Sequence, residues 1–176
     1  MRRKVAIRLL GLDPGLRATG WGIVDADGNS LSAVASGTVC ADDKAPLAER
    51  LHIIFSEIAV IIRSHAPYEC AIEETFVNKN SASTLKLGHA RAAAMLAAAE
   101  AGLPVAEYTP NAVKKSVVGA GHADKQQVEA MVRMLLPGHA PDSSDAADAL
   151  GVAICHAHHR VSNDRLSRAI AGGQSR

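Results

Sequence analysis

Several acidic residues fall where the predicted strands end and where the last predicted helix begins. Asp13 ends the first strand, and Glu73 ends the fourth. Asp145 and Asp148 are three residues apart at the start of the last helix, so both point from one face of it. If strands one and four are neighbours, Asp13 and Glu73 meet at one edge of the sheet. The last helix then needs only to cross that edge to bring further carboxylates to them.

Most of these acids also have a purely structural interpretation. Asp13 could start a turn at Asp-Pro-Gly, and Asp145 could complement the positive end of its helix, with Asp142 or Ser144 as the cap. Asp148 is harder to explain in this way because its neighbours are alanines, a leucine and a valine. An unpaired carboxylate in such surroundings is costly, and no Lys or Arg lies close to it in the sequence. We therefore expect a cation close to the Asp148 carboxylate.

Carboxylates gathered at one sheet edge are the donors that a hard divalent cation requires. Mg²⁺ prefers oxygen ligands. A pair of such ions about 3.5–4 Å apart can activate water and stabilise the leaving oxygen of a phosphodiester. The residue types thus favour metal-dependent phosphodiester chemistry, on the condition that the strands pair as assumed.

The elements that must position these acids follow an α/β pattern. Turn signals at Asp13-Pro14-Gly15 and Asp27-Gly28 divide the start of the chain into an antiparallel meander. An amphipathic helix follows, and strand and helix then alternate. We predict a mixed five-stranded sheet with helices on both faces. The predicted strands are 5–12, 19–24, 31–39, 69–73 and 104–108, and the predicted helices are 46–65, 83–101, 111–117, 124–136 and 144 to about 159.

Composition limits the class of protein. A chain of 176 residues with 48% hydrophobic residues fits one globular domain and excludes a wholly disordered chain. The sequence contains no stretch of about 18 uncharged apolar residues, so no membrane span is predicted. The three cysteines are far apart and form no Cys-x-x-Cys pair, which favours reduced thiols in a cytoplasmic protein.

The middle of the chain is basic although the formal net charge is only +1. Between residues 77 and 133, seven Lys and Arg face four acids, an excess of three positive charges. Lysines contact phosphates without sequence preference, which suits a nucleic-acid surface. Phe76 follows Glu73 in a polar stretch, where stacking on an unpaired base competes with an ordinary core role. His156, His158 and His159 lack a completing ligand set for zinc.

A series of motifs spans residues 9 to about 159, nearly the whole chain. The motifs are Leu10-Gly11-Leu12-Asp13-Pro14-Gly15, Thr19-Gly20-Trp21-Gly22, Ala71-Ile72-Glu73-Glu74 with Phe76, Lys79-Asn80, Leu85-Lys86-Leu87-Gly88, Val113-Lys114-Lys115-Ser116-Val117-Val118-Gly119 and Asp145-Ala146-Ala147-Asp148-Ala149-Leu150. In this order they closely resemble the RuvC family of bacterial Holliday-junction resolvases, which are nucleases with a ribonuclease H-like fold.

The resemblance implies a metal site with two Mg²⁺ ions, or Mn²⁺, at Asp13, Glu73, Asp145 and Asp148. It implies a homodimer that makes symmetric paired nicks in a four-way junction, in recombination and repair, and leaves 5′-phosphate and 3′-hydroxyl ends. The branch-migration complex RuvA–RuvB is the implied partner. The nuclease domain would cover 1–160, and 161–176 would form a flexible basic tail.

The resemblance also assigns residues to the DNA. The family's two functional lysines fall on Lys114 and Lys125, and Lys125 is placed in the catalytic set as well. The aromatic residue at the junction core falls on Phe76. The predicted DNA-binding residues are Phe76, Lys79, Lys86, Lys114, Lys115 and Lys125.

Two other functions are weighed against this one. The Asp13-Pro14-Gly15-Leu16-Arg17 segment resembles the first phosphate loop of the actin and sugar-kinase group. That group needs a second phosphate loop and a second lobe, for which the chain is too short. A junction-binding protein without activity would not need Asp145 and Asp148 beside Glu73. We therefore predict a metal-dependent endonuclease.

Overall fold

The structure, a computed structural model, describes residues 6–75 and 81–173. Its elements are β1 (Ile7–Asp13), β2 (Ala18–Asp27), β3 (Ser30–Cys40), α1 (Leu47–His65), β4 (Glu69–Glu73), α2 (Ser81–Glu100), β5 (Val105–Tyr108), α3 (Pro110–Val118), α4 (Lys125–Leu135) and α5 (Ser144–Gly173). The alternation of strands and helices predicted from the sequence is confirmed.

The five strands form one mixed sheet in the order β3-β2-β1-β4-β5. β1 and β2 are antiparallel, with Asp13 opposite Gly20. β1 and β4 are parallel, with Leu12 beside Ile72. Because parallel strands end at the same edge of a sheet, Asp13 and Glu73 leave the sheet together. The neighbouring strands assumed in the sequence analysis are therefore present.

Helices cover both faces of the sheet. On one face α1 and α2 pack on apolar side chains of β1 and β4, among them Leu10, Leu12 and Ile72. On the other face α5 lies across β1, β2 and β3 and also touches β4, and α3 and α4 pack against α5. The site acids lie at the edge of this second layer, because α5 carries two of them.

Three glycines allow α5 to lie directly on the sheet. A Cβ atom at Gly11 would overlap the backbone of Ala149, and one at Gly20 would overlap the carbonyl of Asp145. A Cβ at Gly22 would come within 2.7 Å of Leu150. The absence of side chains at these positions therefore sets how close the first turns of α5 come to β1 and β2.

Local capping explains where the later helices begin. The Asp124 carboxylate accepts from the Gln127 N–H at 2.9 Å, and the Gln127 side chain accepts from the Asp124 N–H in return. This capping box starts α4 at Lys125. Thr109 caps α3 in a similar way, and Pro110 occupies its first turn.

The last helix is longer than the sequence analysis predicted. We expected its end near His159, whereas α5 continues to Gly173. The polar residues after Arg160 favoured an irregular end, but this stretch holds no Pro and no Gly before Gly172, so nothing in it breaks a helix. The division between a nuclease domain at 1–160 and a tail at 161–176 stays a prediction.

Within the part of the chain that the structure describes, no helix combines the length and the apolar character needed to cross a lipid bilayer.

Candidate active site

Two carboxyl groups from adjacent parallel strands are in contact at the sheet edge. The side chains of Asp13 and Glu73 are close enough to form a hydrogen bond once one of them is protonated. Burial, and next the charge of Asp148, raise the pKa of Asp13 to about 6. Burial, and next the charge of Asp13, raise the pKa of Glu73 to about 8. Burial and the mutual repulsion of the acids therefore both favour the protonated form of this pair.

The first turns of α5 bring the other two acids to this pair. Asp145 and Asp148 are both close enough to Asp13 for their charges to raise its pKa. Lys125 Nζ lies 2.9 Å from Asp148 Oδ2 and is also attracted by Asp145 and Asp13. The structure thus brings together Asp13, Glu73, Asp145, Asp148 and Lys125.

The pairing of Asp148 with Lys125 corrects one inference from the sequence. No base lies near Asp148 along the chain, but the fold places the start of α4 beside the start of α5. Burial raises the pKa of Asp148, while Lys125 opposes that rise and the charges of Asp145 and Glu129 add to it. The contact with Asp148 raises the pKa of Lys125, which keeps its ammonium charged.

The N-terminus of α5 is capped by a residue that the sequence analysis did not choose. We expected Asp142 or Ser144, but the Ala146 N–H donates to Ser143 Oγ at 3.1 Å. Ser143 Oγ also lies 2.6 Å from Thr38 Oγ1 on β3. The first turn of α5 is thereby tied to the sheet just before Asp145.

Two cavities are lined in part by the carboxylates. One of about 190 Å³ is lined by Glu73, Pro110, Val113, Lys114, Lys125, Val128 and Asp148. The other, of about 240 Å³, is lined by Asp13, Pro14, Glu73, Glu74, Thr75, Leu87 and Pro110. Glu73 and Pro110 line both. The positive charge of Lys114 acts to lower the pKa of Glu73, which places this lysine on the site as well.

The other predicted DNA-binding residues lie in several places. Lys115, next to Lys114 on α3, lines a separate groove with Ser116, His158 and His159. Lys86 is exposed on α2. Phe76 and Lys79 lie outside the described residues. The structure therefore brings Lys114 and Lys125 to the carboxylates but not Lys86 or Lys115.

The histidines in the middle of α5 form hydrogen bonds within the protein. The Tyr108 hydroxyl lies 2.9 Å from His156 Nδ1, and His156 Nε2 lies 2.8 Å from Glu69 Oε2. Arg160 binds the same Glu69 carboxylate. Burial lowers the pKa of His156, against the opposing effect of Glu69. The neutral ring can accept from Tyr108 and donate to Glu69, so this cluster joins α5 to β4 and β5.

The donor set fits a hard divalent cation. Four carboxylates lie near one another there with one lysine, and burial acts to raise the pKa of three of them, so a bound cation would be favoured at this place. In the described ranges, no three His, Cys, Asp or Glu side chains form a group that could hold a metal ion as they stand.

Comparisons with known proteins point to one family. The family described as crossover junction endodeoxyribonuclease RuvC matches residues 9–156. A protein of that name from Rhodopseudomonas palustris is 60% identical over 160 residues, covering 91% of this chain and 92% of the relative. A second, from Allorhizobium ampelinum, is 56% identical over 167 residues, covering 95% and 98%.

The fold also has a solved counterpart. The structure described as Thermus thermophilus RuvC in complex with Holliday junction substrate superposes with a TM-score of 0.83 and 33% sequence identity. The match covers 89% of this chain and 96% of the other. The present sheet, with helices on both faces, is therefore the ribonuclease H-like fold that the motifs implied.

Proposed function

Because this chain belongs to the RuvC family of crossover junction endodeoxyribonucleases, we propose that it resolves four-way DNA junctions by symmetric paired nicks. The products carry 5′-phosphate and 3′-hydroxyl ends and can be ligated. The observation that carries this proposal is the meeting of four carboxylates and Lys125 at the sheet edge, on a fold shared with a RuvC bound to a Holliday junction.

As a nuclease of this family, the enzyme depends on a divalent metal ion, and we propose two Mg²⁺ ions, with Mn²⁺ as a substitute. Asp13, Glu73, Asp145 and Asp148 would hold them. When bound, such ions activate a water molecule and stabilise the leaving oxygen of a phosphodiester. This choice is supported by the all-oxygen donor set, which suits a hard cation better than zinc or copper.

The protein itself supplies charge and position. Glu73 and Pro110 line both cavities, so a DNA strand that enters either of them would lie beside the Glu73 carboxylate. Lys125 is 57% exposed at its side chain, which leaves its ammonium free to contact a phosphate oxygen. A positive charge held there stabilises the negative charge that develops on the phosphate during cleavage.

We expect Lys125→Ala to slow cleavage and to weaken the salt dependence of junction binding. Loss of one phosphate contact lowers the slope of log affinity against log salt by about 1. Fluorescence anisotropy at several salt concentrations measures the slope. Lys44→Ala, at an exposed lysine between β3 and α1, is the matched control. An unchanged slope would remove Lys125 from the phosphate contacts.

We propose that Phe76 stacks on an unpaired base at the junction centre. Lys79, three residues later in the sequence, would contact a phosphate. We expect Phe76→Ala to slow cleavage more than it weakens binding. Stacking on an unpaired base would position the strand for cleavage, whereas most of the binding energy would come from phosphate contacts. Single-turnover rates and binding constants on one junction measure the two effects. Equal losses in rate and affinity would argue for a core role instead.

A homodimer is proposed because one junction presents two equivalent strands. The outer face of α2 supports it, since exposed small and apolar residues recur there at helical spacing. Leu85 and Leu96 are 64% and 61% exposed on this face, three turns apart. The face consists of Leu85, Gly88, Ala92, Leu96 and Ala99.

We therefore expect Leu96→Arg to convert the dimer to monomers, because a charge at the centre of an apolar contact is buried at high cost. Sedimentation velocity measures the change. Met134→Arg, at an exposed position on the opposite face of the sheet, should leave the dimer intact. A wild-type monomer, or a Leu96→Arg protein that stays dimeric, would contradict this assignment.

Two further expectations concern the cell. Cys70 and Cys155 are buried free thiols and Cys40 is an exposed one, which supports a reducing compartment, the cytoplasm. We also propose cooperation with the branch-migration complex RuvA–RuvB, which supplies junctions to an enzyme of this activity.

The class of enzyme is tested by comparing two DNA substrates in Mg²⁺. A mobile four-way junction should receive paired, symmetric nicks that ligase can reseal, whereas a linear duplex of the same sequence should stay uncut. Equal nicking of both substrates would indicate a nuclease without junction selectivity. Unpaired nicks on the junction would contradict resolution.

A further inference from the structure

A second side-chain contact, besides that of Lys125 with Asp148, joins the helix of Lys125 to the helix of Asp145 and Asp148. Ser144 Oγ donates to Glu129 Oε1 at 3.1 Å. Glu129 lies four residues after Lys125 on α4, and Ser144 lies four residues before Asp148 on α5. Because residues four apart share a helix face, the Ser144–Glu129 and Asp148–Lys125 contacts form two adjacent links between the same two helix faces.

The second link bears on the first because Lys125 is long and exposed. A lysine ammonium on four methylene groups is mobile, so one contact with Asp148 does not fix it. The apolar contacts of α4, made through Val128 and Val132, hold the helix against α5 but are not directional. A hydrogen bond one turn away from Lys125 adds a directional contact.

We propose that Glu129 is a positioning residue that acts through Lys125. By accepting the hydrogen bond of Ser144, it fixes the first turns of α4 and α5 relative to each other, and so holds the Lys125 ammonium over the carboxylates. This inference rests on the proposed nuclease function. The role belongs to the oxygen acceptor of Glu129 and not to its charge.

The alternative to be tested is that Glu129 is a fifth acid of the metal site. Its carboxylate is near enough to Asp148 to affect it electrostatically. The two roles predict different results for Glu129→Gln, which keeps an oxygen acceptor for Ser144 but removes the negative charge.

The experiment measures single-turnover cleavage of a pre-bound four-way junction at saturating Mg²⁺. We expect Glu129→Ala and Ser144→Ala each to slow cleavage roughly 10-fold, the usual cost of losing an orienting partner, with junction affinity unchanged. Glu129→Gln should cleave at nearly the wild-type rate. In a Lys125→Ala background, Glu129→Ala should cause no further loss. Met134→Ala, an exposed truncation on the same helix, is the control.

Each remaining outcome counts against the proposal. A Glu129→Gln protein as slow as Glu129→Ala would assign the role to the charge. If Glu129→Ala slowed cleavage by the same roughly 10-fold in the Lys125→Ala background, Glu129 would not act through Lys125. A wild-type cleavage rate for the Glu129→Ala protein would show that Glu129 has no positioning role. If Glu129→Ala fails to fold, Ser144→Ala and Glu129→Gln still decide the question. A wild-type protein that cuts duplex and junction alike would overturn the proposed function but leave this comparison valid.

Discussion

Replacement of Asp148 by Asn should abolish cleavage of a four-way junction while leaving its binding intact. The amide keeps the shape of the carboxylate but loses the charge that would hold a cation among four acids. We expect the cleavage rate in Mg²⁺ to fall by more than roughly 100-fold, beyond the cost of losing an outer partner of a metal site. Junction affinity should hold or rise, because one negative charge facing the phosphates is removed.

The control for Asp148→Asn is Asp27→Asn. Asp27 is exposed at the turn between β2 and β3, at the opposite end of the sheet from Asp13. The Asp27→Asn protein should cleave at the wild-type rate. Asp145→Asn should lose cleavage in the same way as Asp148→Asn. Cleavage rates are measured on denaturing gels, and junction affinities are measured with the same protein samples in the absence of metal. Normal cutting by Asp148→Asn would mean that the site is assigned wrongly.

Gly20→Ala should lower both stability and activity, although the change adds a single methyl group. The added Cβ would overlap the backbone carbonyl of Asp145, so either α5 or β2 must move. Overpacking of this kind costs about 1–3 kcal/mol in the free energy of unfolding. Because either movement would shift Asp145 and Asp148 relative to β1, we expect a loss of cleavage larger than the loss of stability explains.

Gly151→Ala is the matched control on α5 itself. A Cβ there meets Val113, Val117 and Val132 at 3.6–3.9 Å, which is ordinary van der Waals contact. Alanine in place of a glycine inside a helix is favourable by about 0.5–1 kcal/mol, so this variant should be as stable as wild type or more stable. Thermal unfolding and cleavage rates compare the two. If Gly20→Ala also matched the wild type, α5 would not be held by this contact.

Local patterns in the sequence were sufficient for the elements and for a mixed α/β sheet, whereas the ribonuclease H-like fold and the grouping of the four acids as one metal site were implied by the family resemblance. Turn signals and hydrophobic periods mark the elements, and the order of three strands followed by alternating strands and helices favours one mixed sheet. The position of Asp13 and Glu73 at strand ends then follows once β1 and β4 are paired. None of these steps needs the detailed packing of side chains.

The contacts that complete the site depend on packing between distant segments. Asp148 and Lys125 are 2.9 Å apart in space but lie on different helices, so no local pattern reveals the pair. The same holds for the Ser144–Glu129 hydrogen bond. Gly20 belongs to a recognisable motif, but the reason for a glycine there is the close approach of α5, which the sequence does not show. The choice of Ser143 as cap depends on Thr38, a partner on β3.

The most direct test of the central claim is a crystal structure of the protein grown with Mn²⁺ and recorded at a wavelength where manganese scatters anomalously. Anomalous peaks should lie among the carboxylate oxygens of Asp13, Glu73, Asp145 and Asp148, with Lys125 displaced from Asp148. Manganese found only elsewhere, with Lys125 still bound to Asp148, would show that these acids do not form a metal site.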